Sequence, residues 1–333
     1  MGKPKVLALL SGGLDSTLAV AIMRAQNVDV EAIHFTTPFC NCDACAVDAI
    51  QQQFHIPIHH QFLGQEFLNI VAKPPHGYGS QMNPCIDCRI LMFTKAKAFA
   101  EKIGAIHIVT GEVLNQRPFS QRKHVMRLIE KESQLEGRVL RPLSAKLLSE
   151  TELEKAGVIN RTSLHSIQGR RRIPQIQLAK QQGIHDYPCP AGGCLLTDPQ
   201  FARRLKDFLT HCGTPTLSDV YLLKLGRHFR ISQCRIIVGR NKMENHALVG
   251  FAQRRDLPYL EVSEYMGPIT VLVGHLTEPI LQKAAELTVR YSDAPSDLEV
   301  RVKYTGKNAL IVKAKAMSVE DIPRYRICSD QVR

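Results

Sequence analysis

The stretch LALLSGGLDSTLAV, residues 7–20, decides the reading of the fold. An apolar run ends in Ser11, Gly12 and Gly13, and a helix-like segment opens at Asp15, Ser16 and Thr17. Glycines let a backbone approach phosphate closely, and the unpaired amides of a first helical turn favour an anion. In an open parallel sheet, ligands sit beyond the carboxyl ends of the strands near a topological switch point, which is where residues 11–17 would lie. The helix-end contribution is only about 0.3–2 kcal/mol, so the hydroxyls of Ser11, Ser16 and Thr17 must add directed hydrogen bonds. The lysine of the nucleotide-hydrolysing P-loop is missing. Asp15 stands in the turn instead, and a carboxylate beside phosphate is repulsive unless it holds a cation or a donor. Mg2+ is the simplest such partner.

Working outward, KVLALL (5–10), VDVEAIHF (28–35), IPIHHQFL (56–63), AIHIVTG (105–111) and GRVLRPL (137–143) read as strands. The segments 15–26, 88–104 and 149–157 read as helices, the last with Ser149 and Glu152 at capping-box spacing. This alternation predicts an α/β fold, a doubly wound parallel sheet. Between about 186 and 218 proline, glycine and turn residues interrupt the pattern. Beyond them, runs such as CRIIVG, PYLEV, PITVLVG and LEVRVKY predict a second, smaller mixed α/β domain. The expected division is a nucleotide-binding domain over 1–200, a linker over 201–215 and the small domain over 216–333.

A length of 333 residues suits two domains, and 44% hydrophobic content suits packed cores. No run of ~18 apolar residues occurs, so no membrane span is expected. The two lysines before a short apolar run read as the lead-in to a buried first strand and not as a signal peptide, and a cytoplasmic location is expected. The formal charge of +12 is concentrated in SQRKHVMRL (120–128), GRRRIPQIQLAK (169–180), FARRLKDF (201–208) and KLGRHFR (224–230). Four such clusters favour a polyanionic partner, because each neutralised phosphate releases counterions.

Ten cysteines include the tight groups Cys40, Cys42 and Cys45, then Cys85 and Cys88, then Cys189 and Cys194. In a cytoplasmic chain such spacing points to metal or sulfur chemistry. Cys85 and Cys88 stand at the mouth of a helix, where amides are expected to lower a thiol pKa.

The segment SGGLDST (11–17) resembles the PP-loop signature of the adenylating ATP-pyrophosphatase superfamily. The resemblance implies an adenine nucleotide α-hydrolase-like fold. It implies ATP and Mg2+ as cofactors, with Ser11, Gly12, Gly13, Asp15, Ser16 and Thr17 at the phosphates and His34 and Phe35 near the adenine. Cleavage between the α and β phosphates does not call for the missing lysine. NPCIDC (83–88) is similar to the Asn-Pro-x-x-x-Cys turn of tRNA 2-thiouridylases. TGEVLNQRPFSQ (110–121) and VLRPL (139–143) look still more like tRNA 4-thiouridine synthetases, which implies Gly111 at the nucleotide and Gln116 and Gln121 facing ATP or the target base. AGGCLLTD (191–198) resembles the segment carrying the second functional cysteine of the 2-thiouridylases, which implies Cys194, with Cys189 in reserve. The likeness covers roughly residues 3–200.

Three thiolates, Cys85, Cys88 and Cys194, suit a 4Fe–4S cluster whose fourth iron stays open to bind sulfide. The same thiols could carry and resolve a persulfide, or form a zinc knuckle. Cys40, Cys42 and Cys45 read as a second metal site, a sulfur relay or loop thiols, and zinc there would recruit a further ligand such as His59 or His60.

The chain departs from the 4-thiouridine synthetases in starting only a few residues before the turn, where they carry RNA-binding domains, and no rhodanese-like tail is evident. RNA capture is therefore expected of the C-terminal part. CRIIVGRNKMENHALVGFAQRRDLPYLEV (234–262) resembles the RNA-binding module of the NFACT proteins, which implies Arg240, Lys242, Arg254 and Arg255 on backbone phosphates. With 6% aromatic residues and no Trp, shape and phosphate recognition fits better than base stacking. The basic run 169–184 could grip phosphates beside the target nucleotide. Together these features predict an ATP-dependent tRNA sulfurtransferase that adenylates a uridine carbonyl and replaces its oxygen with sulfur, forming 4-thiouridine. Its catalytic residues would be Cys85, Cys88, Cys194 and Asp15. Its partners would be tRNA and a sulfur donor (sulfide or a cysteine desulfurase), with a homodimer left open. The competing readings are a PP-loop small-molecule synthase with structural zinc and a non-catalytic ATP-sensing RNA-binding protein.

Overall fold

The apolar run before the glycine turn forms β1 (Lys5–Leu9), whose Val6, Leu7 and Ala8 are buried. In the computed structural model residues 3–40, 44–184, 187 and 193–327 are described, and they fall into two units, Met1–Asp198 and Pro199–Arg333. After β1 the first unit runs α1 (Leu14–Ala25), β2 (Asp29–Thr36), α2 (Ala44–Phe54), β3 (Ile58–Phe62), α3 (Gln65–Ala72) and α4 (Cys85–Lys102). It continues with β4 (His107–Thr110), α5 (Lys123–Glu132), β5 (Val139–Leu140), α6 (Glu152–Lys155) and α7 (Ile173–Gln181). The five strands pair in the order β3-β2-β1-β4-β5, all parallel. Every strand read from the sequence is present. The order turns back between β1 and β4, which opens a crevice beyond their carboxyl ends.

Periodicity explains the layers. Val6 and Ala8 share one core with Leu18, Val20 and Met23 of α1, while α4 packs against β1 and β4. The capping box lies two residues beyond its expected place. Glu154 Oε2 accepts from the backbone N–H and the hydroxyl of Thr151, both at 2.8 Å, so the box is Thr151–Glu154 and not Ser149–Glu152. Both pairs have the spacing; only the second coincides with the turn after Glu150.

The second unit comprises α8 (Pro199–Cys212), α9 (Leu217–Lys224), β6 (Arg227–Ile231), β7 (Cys234–Val238), α10 (Lys242–Arg255), β8 (Tyr259–Val262) and β9 (Thr270–Val273). It ends with α11 (Glu278–Arg290), β10 (Val300–Thr305), β11 (Leu310–Ala314) and α12 (Ile322–Tyr325). Its six strands form an antiparallel sheet in the order β11-β10-β8-β9-β7-β6. Alternation along β7 sends Ile236 and Val238 toward Ala284 and Leu287 of α11, and Ile237 toward Leu248 and Phe251 of α10. Helices thus cover both faces. The stretch 201–215, expected as a linker, instead lies largely in α8, whose Phe201, Leu205 and Phe208 are buried. The basic run KLGRHFR overlaps β6. Among the described residues no helix is long and apolar enough to cross a membrane.

Candidate active site

The glycine turn closes on itself. Gly12 has φ 79°, in the left-handed region where a side chain is strained, and Gly13 caps α1. Ser16 Oγ donates to Gly13 O at 2.8 Å, Thr17 Oγ1 donates to the same oxygen at 3.1 Å, and the Ser11 and Ser16 hydroxyls pair at 3.1 Å. Gly111, just past β4, is pressed against this turn. A β-carbon there would stand 2.4 Å from the backbone of Asp15 and Ser16, so glycine is what lets the loops after β1 and β4 meet.

Asp15 Oδ2 accepts from Gln116 Nε2 at 2.9 Å and lies 3.8 Å from Arg172. Its Oδ1 is buried and finds no partner among the described residues. A buried carboxylate oxygen without a donor is costly, and a divalent cation would satisfy it, so Asp15 fits the Mg2+ expectation. Gln121 accepts at 2.9 Å from the backbone of Arg117. Around these groups lies a polar recess of about 70 Å³ that also takes in Arg89, Gly111, Glu112, Gln116 and Arg117.

Two cations there escaped the sequence reading. Arg89, in the first turns of α4, lies 3.4 Å from Glu112, while Arg117 has no side-chain hydrogen bond among the described residues. Burial, with Arg89 nearby, holds the Arg117 pKa below its ordinary value. Glu112 is buried and bonded by Arg141 at 3.0 Å. Burial alone would raise its carboxyl, but Arg141 and Arg89 outweigh that and hold it below the usual range. Arg172 arrives from the basic run 169–180 because Gly169 N–H donates to Leu114 O at 2.8 Å.

A second cavity of about 170 Å³ shares Ser11, Arg89 and Arg117 with the first. Its wall carries four thiols, Cys40, Cys85, Cys88 and Cys194, as well as His34 and Phe35. His34 is buried with Nδ1 at 2.8 Å from Leu10 O. The thiols converge through backbone bonds. Leu195 N–H donates to Phe39 O at 2.9 Å, and Met82 N–H donates to Leu196 O at 3.1 Å, so the segment 193–196 is held between the loop after β2 and the turn entering α4. That turn is clamped in its own right, since His76 Nδ1 meets Asp87 Oδ1 at 2.8 Å while Nε2 meets Glu132 Oε1 at 3.0 Å.

The expected lowering of thiol pKa is reversed. Burial pushes Cys88 up to about 12 and Cys194 to about 11, and raises Cys85 as well. Desolvation by the cavity wall outweighs the amides of α4 and the nearby Arg89 and Arg117. A single tetrahedral metal ion, with bonds of ~2.3 Å, would draw thiolates to within about 3.8 Å of one another. Among the described residues no three His, Cys, Asp or Glu side chains are grouped to hold a metal ion. Among the described residues the donor set is one of four thiols around a shared space. His59 is bonded to Glu31 at 2.9 Å and His60 stacks edge-on to His34. Cys42, Cys189 and the side chain of Cys45 lie outside the described residues.

In the second unit the GRNKMEN segment (239–245) does structural work. Asn241 Oδ1 caps α10 by accepting from Glu244 N–H at 3.0 Å, and Asn245 bridges to Gly267 and Ile269 at 3.2 and 3.1 Å. A β-carbon on Gly239 would stand 2.0 Å from Asn245 Oδ1. Arg240, expected on a phosphate, is tied to Glu244 through its Nε at 2.9 Å. Lys242, Arg254 and Arg255 are exposed. Lys242 and Arg254 stand at opposite ends of α10, about 18 Å apart at 1.5 Å rise per residue.

A parallel sheet with a glycine turn at its switch point, a half-buried aspartate in that turn and a thiol-lined cavity beside it make up a PP-loop type of fold. Residues 2–155 match the family model for thiamine biosynthesis protein (ThiI), and residues 226–326 match that for the NFACT protein RNA binding domain. The first part of the chain is thus similar to the PP-loop tRNA-thiolation proteins, and the last part to an NFACT RNA-binding domain. It is 33% identical over 118 residues to a tRNA-specific 2-thiouridylase MnmA of Syntrophotalea carbinolica, covering 32% of this chain and 34% of that one. It is 31% identical over 123 residues to a probable tRNA sulfurtransferase of Methanosarcina mazei, covering 34% and 29%. The crystal structure of a 4-thiouridine synthetase–RNA complex with bound ATP aligns at TM-score 0.39 and 20% identity over 65% of this chain and 52% of that one. The chain spans about a third of the length of these two curated relatives.

Proposed function

We propose that the protein is an ATP-dependent tRNA sulfurtransferase that adenylates a uridine carbonyl and replaces its oxygen with sulfur, yielding 4-thiouridine. The observation that carries this reading is the shared wall: Ser11, Arg89 and Arg117 border both the polar recess at the glycine turn and the cavity lined by Cys40, Cys85, Cys88 and Cys194. A nucleotide phosphate held at the turn and a sulfur held by the thiols would meet the same carbonyl carbon.

ATP would lie with its phosphates on the amides of residues 11–17 and its adenine toward His34 and Phe35. Asp15, with one orphaned carboxylate oxygen, would hold Mg2+. Arg117 and Arg89 would take up charge on the departing AMP, and preorganised donors of this kind stabilise a transition state by several kcal/mol in a water-poor site. Cys85, Cys88 and Cys194 would hold a 4Fe–4S cluster. When bound, that group supplies an open iron able to present sulfide. The raised thiol pKa values are compatible with this division, because a metal bound by thiols displaces their protons. Lys242, Arg254 and Arg255 would contact tRNA phosphates, and the sulfur donor would be sulfide or a cysteine desulfurase.

The test is nucleoside mass spectrometry of unmodified tRNA incubated anaerobically with the iron-loaded protein, ATP·Mg and sulfide. 4-Thiouridine should accumulate together with AMP and pyrophosphate. Release of ADP, or intact uridine throughout, would overturn the proposal. Replacing Cys85, Cys88 or Cys194 with Ala should abolish sulfur insertion while ATP binding stays measurable.

A further inference from the structure

Cys40 belongs to no part of that scheme, yet the fold pairs it with a residue that does. Cys40 and Cys194 form an isolated antiparallel bridge. The bond that closes it, Leu195 N–H to Phe39 O at 2.9 Å, joins the residues flanking the pair and not the pair itself. Cys40 and Cys194 are therefore opposite one another at a non-hydrogen-bonded position, where facing Cα atoms stand about 4.5 Å apart and side chains approach closely. That separation falls within the ~4.4–6.8 Å range of Cα distances across disulfides. Both side chains are thiols lining one cavity, and Thr37 Oγ1 lies 3.3 Å from Cys40 Sγ. Cys85 and Cys88 sit one turn apart at the start of α4 and line the same cavity.

We infer that Cys40 and Cys194 are a redox-modifiable pair whose disulfide withdraws Cys194 from the thiol set of the active site. The chemistry is thiol–disulfide exchange with a low-molecular-weight disulfide. One cysteine thiolate attacks that disulfide, forming a mixed disulfide and expelling one thiol. The second cysteine then attacks the protein sulfur and expels the other thiol. The two cysteines lose two protons and two electrons, and the donor disulfide gains them as two thiols. A dithiol reductant reverses both steps. The modification itself needs only the cross-strand geometry. Its consequence, that the oxidised chain cannot accept a cluster, rests on the proposed role of Cys194.

The experiment uses the full chain. Reduced protein is exposed to oxidised glutathione, blocked with N-ethylmaleimide, digested and mapped by mass spectrometry. A Cys40–Cys194 cross-linked peptide should dominate and vanish in Cys40→Ser. Recovery of both residues as alkylated thiols, or a dominant link from Cys194 to Cys85, Cys88 or Cys42, would overturn the inference. Oxidised and reduced samples are then loaded with ferrous iron and sulfide without reductant. Oxidised wild type should take up at least tenfold less iron than reduced wild type, whereas oxidised Cys40→Ser should load like its reduced form. Full loading of the linked wild type would sink the withdrawal of Cys194. A cross-link that forms normally in a chain that never loads iron would uphold the pair and overturn the cluster reading instead. ATP binding by Cys40→Ser confirms that the variant is folded.

Discussion

Arginines at the recess of the first unit and on the sheet of the second meet different neighbours. In the first, Arg117 faces the recess with no side-chain hydrogen bond among the described residues, and Arg89 has Glu112 only at 3.4 Å. In the second, Arg230 is held by Asp207, Arg240 by Glu244 and Arg301 by Glu264. Arg235 is buried with its guanidinium over the Phe208 ring at 4.9 Å. Arginines that read alike along the chain are thus open to a ligand at the recess and neutralised by carboxylates at Arg230, Arg240 and Arg301, while Lys242, Arg254 and Arg255 stay exposed. A net charge says that a polyanion can be attracted. Only the local carboxylates say which cations remain to meet it.

The largest effect is expected at Arg117. Arg117→Ala should lower kcat about 10²–10³-fold, as loss of one preorganised charge-stabilising donor does, with a smaller change in the KM for ATP. An equal loss in both parameters' ratio through KM alone would assign Arg117 to ground-state binding and break the contrast. Next comes Gly111→Ala. The added methyl meets backbone at Asp15 and Ser16, and overpacking of this kind costs about 1–3 kcal/mol, so thermal stability and ATP affinity should fall together. Unchanged ATP affinity would show that the β4 loop does not shape the nucleotide site.

A smaller effect sharpens the comparison within the second unit. Lys242→Ala, Arg254→Ala and Arg255→Ala should each reduce the slope of log affinity for tRNA against log salt by about 1. Arg240→Ala should leave that slope unchanged, because Glu244 already neutralises it; a shallower slope would show that RNA displaces the ion pair. The smallest effect belongs to His76. Its hydrogen bond to Asp87, helped by Glu132, raises its pKa. A raised folded-state pKa stabilises below the unfolded value near 6.5 and ceases to do so as pH climbs through the folded value. Wild type should therefore lose stability relative to His76→Gln as pH rises past that point, from an advantage of about 1 kcal/mol. A pH-independent difference between the two proteins would mean that the clamp works without the charge.

Much of the active edge could be read from local patterns. SGGLDST follows an apolar strand, and Gly111 stands in a motif at the end of another, so both could be set at the same edge of a parallel sheet. The pair Cys85 and Cys88 announces itself by spacing. Arg89 and Arg117 carry no such signal, since an arginine in a helix or a loop is usually solvated, and the only available hints were their positions beside Cys88 and Gln116. The GRNKMEN segment shows the converse. Arg240 and Lys242 in it were read as phosphate contacts, while Gly239, Asn241 and Asn245, which carry its resemblance, hold the local fold together. The thiol pKa values went the opposite way to expectation because burial is a property of the assembled cavity, whereas helix position is visible in one dimension.

By itself the sequence determined the strands of the first unit, three of its helices, the glycine turn and the thiol inventory, because short-range periodicity and glycine conformation act within a few residues. The tertiary structure alone decided that segment 193–196 is strapped between the loop after β2 and the entry to α4, which brings Cys40 opposite Cys194 and all four thiols onto one wall. Three backbone segments far apart in sequence meet there through hydrogen bonds between main-chain atoms that every residue carries. No side-chain pattern could encode such a meeting.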